Sequence, residues 1–200
     1  MKMNLLQISS IALISISTFA ESTESNTLNY SHVGIGYTTA EYEFSDDYSG
    51  YTASLLQQIA QSGFYITLKH SKTSSDLHTA IGDLDQDLTQ ANYGAGYAFH
   101  LTPTFHIGIE AAYIKLKAEI QDYSDSGSGY RLGTLLRYAT TPALELYSGL
   151  DYLNLDEWDD SDTAYKVGAK YAFGQHIAIT AEYNNFVSDG AWVLGAEVRW

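Results

Sequence analysis

Three aspartates alternate in GDLDQDL, at Asp83, Asp85 and Asp87, and offer evenly spaced hard oxygen donors. Clustered carboxylates at that rhythm suit a divalent cation such as calcium. The match to a calcium-binding loop is partial, because Leu88 stands where such a loop turns on glycine and Gly94 where it supplies glutamate. A solvated negative surface accounts for the same residues without a ligand. The second candidate chemistry is acid–base. His78 lies close in sequence to Asp76 and Asp83, a combination that could serve hydrolysis at an exposed rim. Proximity alone positions these groups, and His32, His70, His100, His106 and His176 join no assembled constellation. No catalytic, cofactor or metal site is assigned.

The charges that follow a regular pattern do so elsewhere. Lys69, Glu110, Arg131, Arg137, Glu145, Asp151, Lys166, Lys170, Glu182, Glu197 and Arg199 fall between apolar residues at alternate positions. Six bases and five acids nearly cancel there, although the whole chain carries a formal charge of −14. Charges in a narrow low-dielectric interior are costly unless paired, so this face is expected to hold a paired ionic network. Gly34, Gly36, Gly94, Gly96, Gly108, Gly133, Gly149, Gly168 and Gly195 share the face and leave room for long basic side chains to cross it.

The elements that must position these residues are strands. In FHIGIEAAY one face carries Phe105, Ile107, Ile109, Ala111 and Tyr113; in YRLGTLLRY it carries Tyr130, Leu132, Thr134, Leu136 and Tyr138. LELYSGLDY, YKVGAKYAF and AWVLGAEVRW repeat the plan, and HVGIGY, YTASLLQQI, FYITLKH, ANYGAGYAF and IAITAEY complete a set of ten. Gln57 interrupts the apolar face of YTASLLQQI and makes that strand the least regular. A helical period would scatter the charges to every side. Short connections at 61–63, 101–104, 140–142 and 174–175 alternate with longer acidic ones at about 43–49, 74–87, 120–128 and 155–162, and a tight one at 188–190. Both prolines lie in the short set, where no ladder hydrogen bond is lost. That is an up-and-down meander with two unequal ends.

The first twenty residues stand apart. Lys2, an apolar stretch through Ile16 and the small residues around Ala20 read as a cleaved signal peptide over 1–20, leaving a barrel domain over 21–200. There is no cysteine, so disulfides, a lipid-modified cysteine and thiolate metal sites are excluded. The acidic balance argues against nucleic acid as a partner. A soluble β-sandwich explains alternation as well as a membrane barrel does. It does not explain why strand after strand closes its apolar face with aromatics. Eight steps at about 3.3 Å, tilted by about 40°, rise roughly 20 Å, close to the apolar band of an outer-membrane barrel with its aromatic girdles. One girdle would comprise Phe64, Tyr97, Phe99, Phe105, Tyr138, Tyr171, Phe173 and Trp200; the other Tyr37, Tyr51, Tyr113, Tyr130, Tyr152, Tyr165, Tyr183 and Trp192. The expected fold is an all-β, antiparallel up-and-down transmembrane β-barrel of ten strands, with eight as the alternative count. Side chains should fill so small a lumen and leave it closed or barely conducting.

Seventeen of the twenty-four carboxylates fall in the longer connections and strand tips: Glu41, Glu43, Asp46, Asp47, Asp76, Asp83, Asp85, Asp87, Glu119, Asp122, Asp125, Asp156, Glu157, Asp159, Asp160, Asp162 and Asp189. They would make one end of the barrel strongly acidic.

The start LNYSHVGIGY, hairpins such as GYRLGTLLRYATTPALELYSGLDY and the end AWVLGAEVRW resemble the small outer-membrane β-barrel proteins of Gram-negative bacteria, the porin-like, OmpA/OmpX-type group, in a ten-stranded form. The resemblance spans the chain after the signal and rests on pattern rather than on a binding motif. It implies an outer-membrane location with both termini periplasmic, and outer-membrane lipid and lipopolysaccharide as surroundings. It also implies a terminal strand read by the barrel-assembly machinery through Trp192, Leu194, Ala196, Val198 and Trp200, although the usual last residue is Phe. The expected protein is a monomer with a structural or surface-interaction role, acidic loops open to divalent cations and no enzymatic activity. A small selective channel and a rim enzyme such as an outer-membrane protease are the alternatives.

Overall fold

The structure, a computed structural model, describes residues 28–200 apart from 43–44, 61, 80–81, 122, 157–159 and 187. Those residues form ten strands: β1 (Ser31–Tyr42), β2 (Ser45–Gln58), β3 (Phe64–Thr79), β4 (Gly82–Thr102), β5 (Phe105–Ile120), β6 (Tyr123–Ala139), β7 (Leu144–Leu155), β8 (Asp160–Phe173), β9 (Ile177–Asn184) and β10 (Gly190–Arg199). Each strand pairs antiparallel with its neighbours in sequence, and β1 pairs with β10 to close a barrel. The closing register sets Val33 against Val198, Ile35 against Ala196 and Tyr37 against Leu194. Closure leaves no open sheet edge around the wall, which is how strands satisfy every backbone group in an apolar solvent. No helix among the described residues is long and apolar enough to cross a membrane.

Alternation divides the wall as the pleat requires. Val33, Ile35, Ile109, Leu132, Leu150, Val167, Leu194 and Val198 are exposed on the outside although strongly apolar. Most of the tyrosines and phenylalanines that bound this band, and Trp192, are exposed as well, with Phe105 and Tyr183 half-buried, and several touch edge to face, as Phe64 with Tyr97 and Tyr171 with Phe173. Gln57, the irregular residue of β2, faces outward at the seam. Its Oε1 accepts the Trp200 indole N–H at 3.2 Å, and its Nε2 reaches Ser31 Oγ at 3.3 Å. A polar residue there ties the last residue of β10's run to the start of β1.

The four short connections lie at one end, together with both ends of the described chain. The longer connections are corrected: most of their residues continue the ladders. β3 and β4 pair from Ser74 and Asp87 out to Thr79 and Gly82, and β5 and β6 from Glu119 and Ser124 to Ile120 and Tyr123. Gln121 takes a φ of 50° in the remaining tight turn. These extensions carry Ser, Thr and Asp on both faces because both faces leave the apolar band, so apolar alternation fades while pairing continues. On this side the sheet stands well beyond β9 and β10, which have 8 and 10 residues against 21 in β4.

The interior is also less uniformly polar than expected. At the short-turn end Leu28, Tyr30, Tyr65, Ala98 and Ala139 form a buried apolar cluster with Leu56 against it. Toward the other end Ile114, Leu116, Leu153, Leu155 and Ala164 form a second, with Phe186 packed on it. Inward-facing residues above the apolar band line no membrane, so they are free to build an ordinary core.

Candidate functional site in the barrel lumen

The inward positions of β3 and β5–β10 bring the charges together in four groups. Arg131, on β6, donates from Nη1 to Asp151 Oδ1 at 2.6 Å and from Nη2 to Glu110 Oε2 at 2.9 Å. Lys166 Nζ stands 3.6 Å from Asp151 and 4.0 Å from Glu110, and the Tyr65 hydroxyl donates to Glu110 Oε1 at 3.1 Å. Arg137 grips Glu145 with Nε at 2.6 Å and Nη2 at 2.9 Å. Glu182 accepts from Lys69 and from the Tyr147 hydroxyl, each at 3.2 Å. Glu197 lies 2.7 Å from Lys170 Nζ and 3.3 Å from His32 Nε2. Each buried carboxylate therefore meets a cation, which is the condition for holding charge in so dry a place.

Arg199 is the exception among the eleven charges. It makes no ion pair among the described residues; its backbone N–H donates to the His176 carbonyl at 2.8 Å. It stands at the very end of β10, where the lumen opens to water, and alternation alone does not register that difference in depth.

Two tyrosines that alternation did not single out fill the space beside the ions. A Cβ on Gly96 would lie 2.5 Å from the Tyr65 ring, and one on Gly168 would lie 2.3 Å from the Tyr147 ring. These glycines make room for aromatic rings crossing the lumen, not only for arginine and lysine. The signal was present in the sequence as tyrosine at an inward position opposite glycine, since Tyr65 pairs with Gly96 and Tyr147 with Gly168.

The first described residues complete the filling at the short-turn end. Tyr30 is buried, and its ring lies 4.2 Å from the Arg137 guanidinium carbon and stacks with His106 at 5.7 Å. His106 stacks in turn on His100 at 4.2 Å. The Asn29 carbonyl accepts from Arg137 Nη2 at 2.9 Å, while Asn29 Nδ2 donates to the Trp200 carbonyl at 3.0 Å. Beside these groups lies a cavity of about 240 Å³, whose lining includes Thr38, Thr52, Lys69, Asn92, Tyr147 and Glu182.

The aspartates of GDLDQDL lie along the extended edge of β4, not in a loop. Asp85 and Asp87 pair with Asp76 and Ser74, and Asp87 Oδ2 accepts Lys72 Nζ at 2.7 Å. Alternate residues of a strand stand about 6.6 Å apart, too far for backbone and side chains to wrap one ion as a tight loop does. The backbone register sets His78 opposite Asp83. Their side chains and that of Asp76 lie outside the described residues, as do Glu43, Asp122, Glu157 and Asp159 and the side chains of Asp46, Asp47 and Asp160.

Residues 8–193 match the outer membrane protein beta-barrel domain family. The chain belongs to this family. It is accordingly a bacterial outer-membrane barrel, and the exposed apolar band of its wall has lipid as its solvent. Among solved structures, the NanC porin is similar at 9% identity, with 85% of this chain and 100% of that one covered and a TM-score of 0.52. The COG4313 outer membrane channel from Pseudomonas putida F1 is similar at 12% identity, covering 90% and 100%, with a TM-score of 0.51. Ail, the attachment invasion locus protein of Yersinia pestis, in complex with the heparin analogue sucrose octasulfate, is similar at 16% identity, covering 85% and 97%, with a TM-score of 0.46. At these identities the likeness is one of fold. No curated protein sequence matches the chain.

Proposed function

We propose that this family member is a closed barrel with a structural or surface-interaction role, not a diffusion pore and not an enzyme. The observation that carries the reading is the filled lumen: paired ions, Tyr65, Tyr147 and the Tyr30 segment cross the interior around a cavity of about 240 Å³. In this reading both termini and the short turns face the periplasm, and the extended strand ends of β3–β6 stand outside the cell. Export delivers the chain from the periplasmic side, and an even strand count returns it there. Lipopolysaccharide surrounds the outer half, the barrel acts as a monomer, and divalent cations associate with its acidic outer end. Trp192, Leu194, Ala196, Val198 and Trp200 form the outward stripe that the assembly machinery reads.

Refolded protein should shift mobility on heating in a denaturing gel and, in planar bilayers, give no large steady single-channel current. A folded barrel with such currents would overturn closure. Orientation has its own check, because the chain has no cysteine. A cysteine placed at exposed Ser126 should react with a membrane-impermeant maleimide on intact cells; protection there with labelling at Gln175 would reverse the assignment.

The second reading, a small selective channel, is favoured by the polar lining of the remaining cavity. It would require the Tyr30 segment to withdraw, and ion currents that saturate with solute would support it.

A further inference from the structure

Ten lysines and arginines occur in the chain. Lys2 precedes the described residues, and six others belong to the inward set or, as Arg199, to the short-turn rim. The remaining three, Lys72 on β3 and Lys115 and Lys117 on β5, all face outward on the two neighbours of β4 at the opposite end. Lys72 and Lys117 flank Thr89 in one row, since Lys72 pairs with Thr89 and Thr89 with Lys117. Two strand spacings set their Cα atoms about 10 Å apart. Lys115 lies one pleat repeat below Lys117 on β5, in the row of Ala91 and His70.

Depth places this patch just past the aromatic girdle. Tyr93 on β4 is exposed and pairs with the girdle residue Tyr113, so it belongs to the same girdle. Tyr51 pairs with Lys72, whereas Tyr93 lies in the row of Leu68 and Leu55, so the girdle steps by four residues between β2 and β4. On β3, midway, the girdle level is His70, whose ring lies 6.2 Å from that of Tyr51. Lys72 is two residues beyond His70; Lys115 and Lys117 are two and four beyond Tyr113. With about 3.3 Å per residue and a tilt of about 40°, the ammonium-bearing positions stand about 5 to 10 Å above the rings. That is the headgroup layer, not hydrocarbon and not open water.

We propose that Lys72, Lys115 and Lys117 form a docking site for the headgroup phosphates of lipopolysaccharide in the outer leaflet. The inference rests on the orientation given above. The three lysines stand on a strip whose Cα positions span about 10 Å, with Thr89 between two of them, and their flexible side chains can turn to one anion. Phosphate is the anion that outer-leaflet glycolipid presents at this depth, and charge-assisted hydrogen bonds to it are the strong kind. Lys72 pairs with Asp87 and Lys117 with Glu119, both at 2.7 Å, but all four side chains are substantially exposed. Exposed pairs are weak, so the ammonium groups can be shared with a phosphate. Lys115 has no carboxylate partner among the described residues; its Nζ lies 6.0 Å from the Tyr113 ring centre. On a chain whose outer end is otherwise acidic, placing every outward base in one headgroup-level patch is a specific arrangement.

The test uses the refolded barrel in uncharged detergent with a chelator present. It is titrated with the lipid anchor of lipopolysaccharide carrying its phosphates, and with the same anchor after phosphate removal. Phosphorylated anchor should bind about tenfold tighter or more, as two charge-assisted contacts allow. The K72Q/K115Q/K117Q variant should lose that difference while keeping its heat-modifiable mobility. E119Q should strengthen binding by freeing Lys117. Excess inorganic phosphate should leave the lipid bound. Equal binding of both anchors, a triple variant that keeps the difference, or displacement by free phosphate would each overturn the proposal. Bilayer conductance is read separately, so an open pore would sink the closed-barrel reading without touching this one; protection at Ser126 would overturn the orientation and this proposal with it, whereas a failed titration on a correctly oriented barrel overturns this proposal alone.

Discussion

Arg131 shows how much one residue carries. It bridges Glu110 and Asp151 in the middle of the lumen, with Lys166 farther off. Arg131→Met removes the bridge and leaves two carboxylates facing one distant ammonium. The expected loss is about 3–5 kcal/mol in urea unfolding from lipid vesicles, the usual cost of stranding a buried charge. A change under 1 kcal/mol would mean that water, not the pairs, solvates this face. Gly168 tests shape instead of charge. A methyl there would meet the Tyr147 ring at 2.3 Å, so Gly168→Ala should cost about 1–3 kcal/mol by overpacking. Adding Tyr147→Leu should recover part of that cost. If the two effects simply add, the ring and the glycine are not the neighbours described.

At the scale of the element, β10 separates its two faces cleanly. Leu194 points to lipid, and Leu194→Arg should cost about 2–4 kcal/mol near the midplane. Glu197 points inward to Lys170 and His32. Glu197→Gln should lower stability yet leave insertion efficiency intact, measured by the folded fraction after mixing with vesicles. Equal insertion defects would show the register to be wrong. The segment ahead of β1 acts as a stopper: Leu28 and Tyr30 sit in the short-turn cluster, and Tyr30 covers Arg137. Tyr30→Ala removes a buried aromatic and should cost about 3–5 kcal/mol. The extended ends of β3–β6 look like loops in the sequence because their residues are polar on both sides. Backbone pairing does not need apolar residues, but recognising it from a sequence does.

For the whole molecule, closure should depend on the filling as a set. Replacing Arg131, Glu110 and Tyr65 together, by serine, serine and alanine, removes both signs of charge and a ring. The barrel should still insert, because its outer face is untouched, and should now conduct in planar bilayers. A variant that inserts and stays closed would show that something other than these side chains blocks the lumen. By itself the sequence favoured ten strands over eight and marked the wall faces and most of the girdle, because a period of two meeting lipid on one side leaves an apolar stripe in each strand, broken at places such as Gln57. It also determined which charges face inward, since inward is whatever alternates with that stripe. Only the tertiary structure decided who pairs with whom, that Arg199 pairs with none of them, that Tyr65 and Tyr147 cross to meet glycines, and that Tyr30 enters the lumen. Those facts depend on the stagger between strands, which sets relative depth around the barrel and leaves no trace within any single strand. The gathering of Lys72, Lys115 and Lys117 is of the same kind: residues on two strands, β3 and β5, become neighbours only when the ladder through β4 fixes their rows.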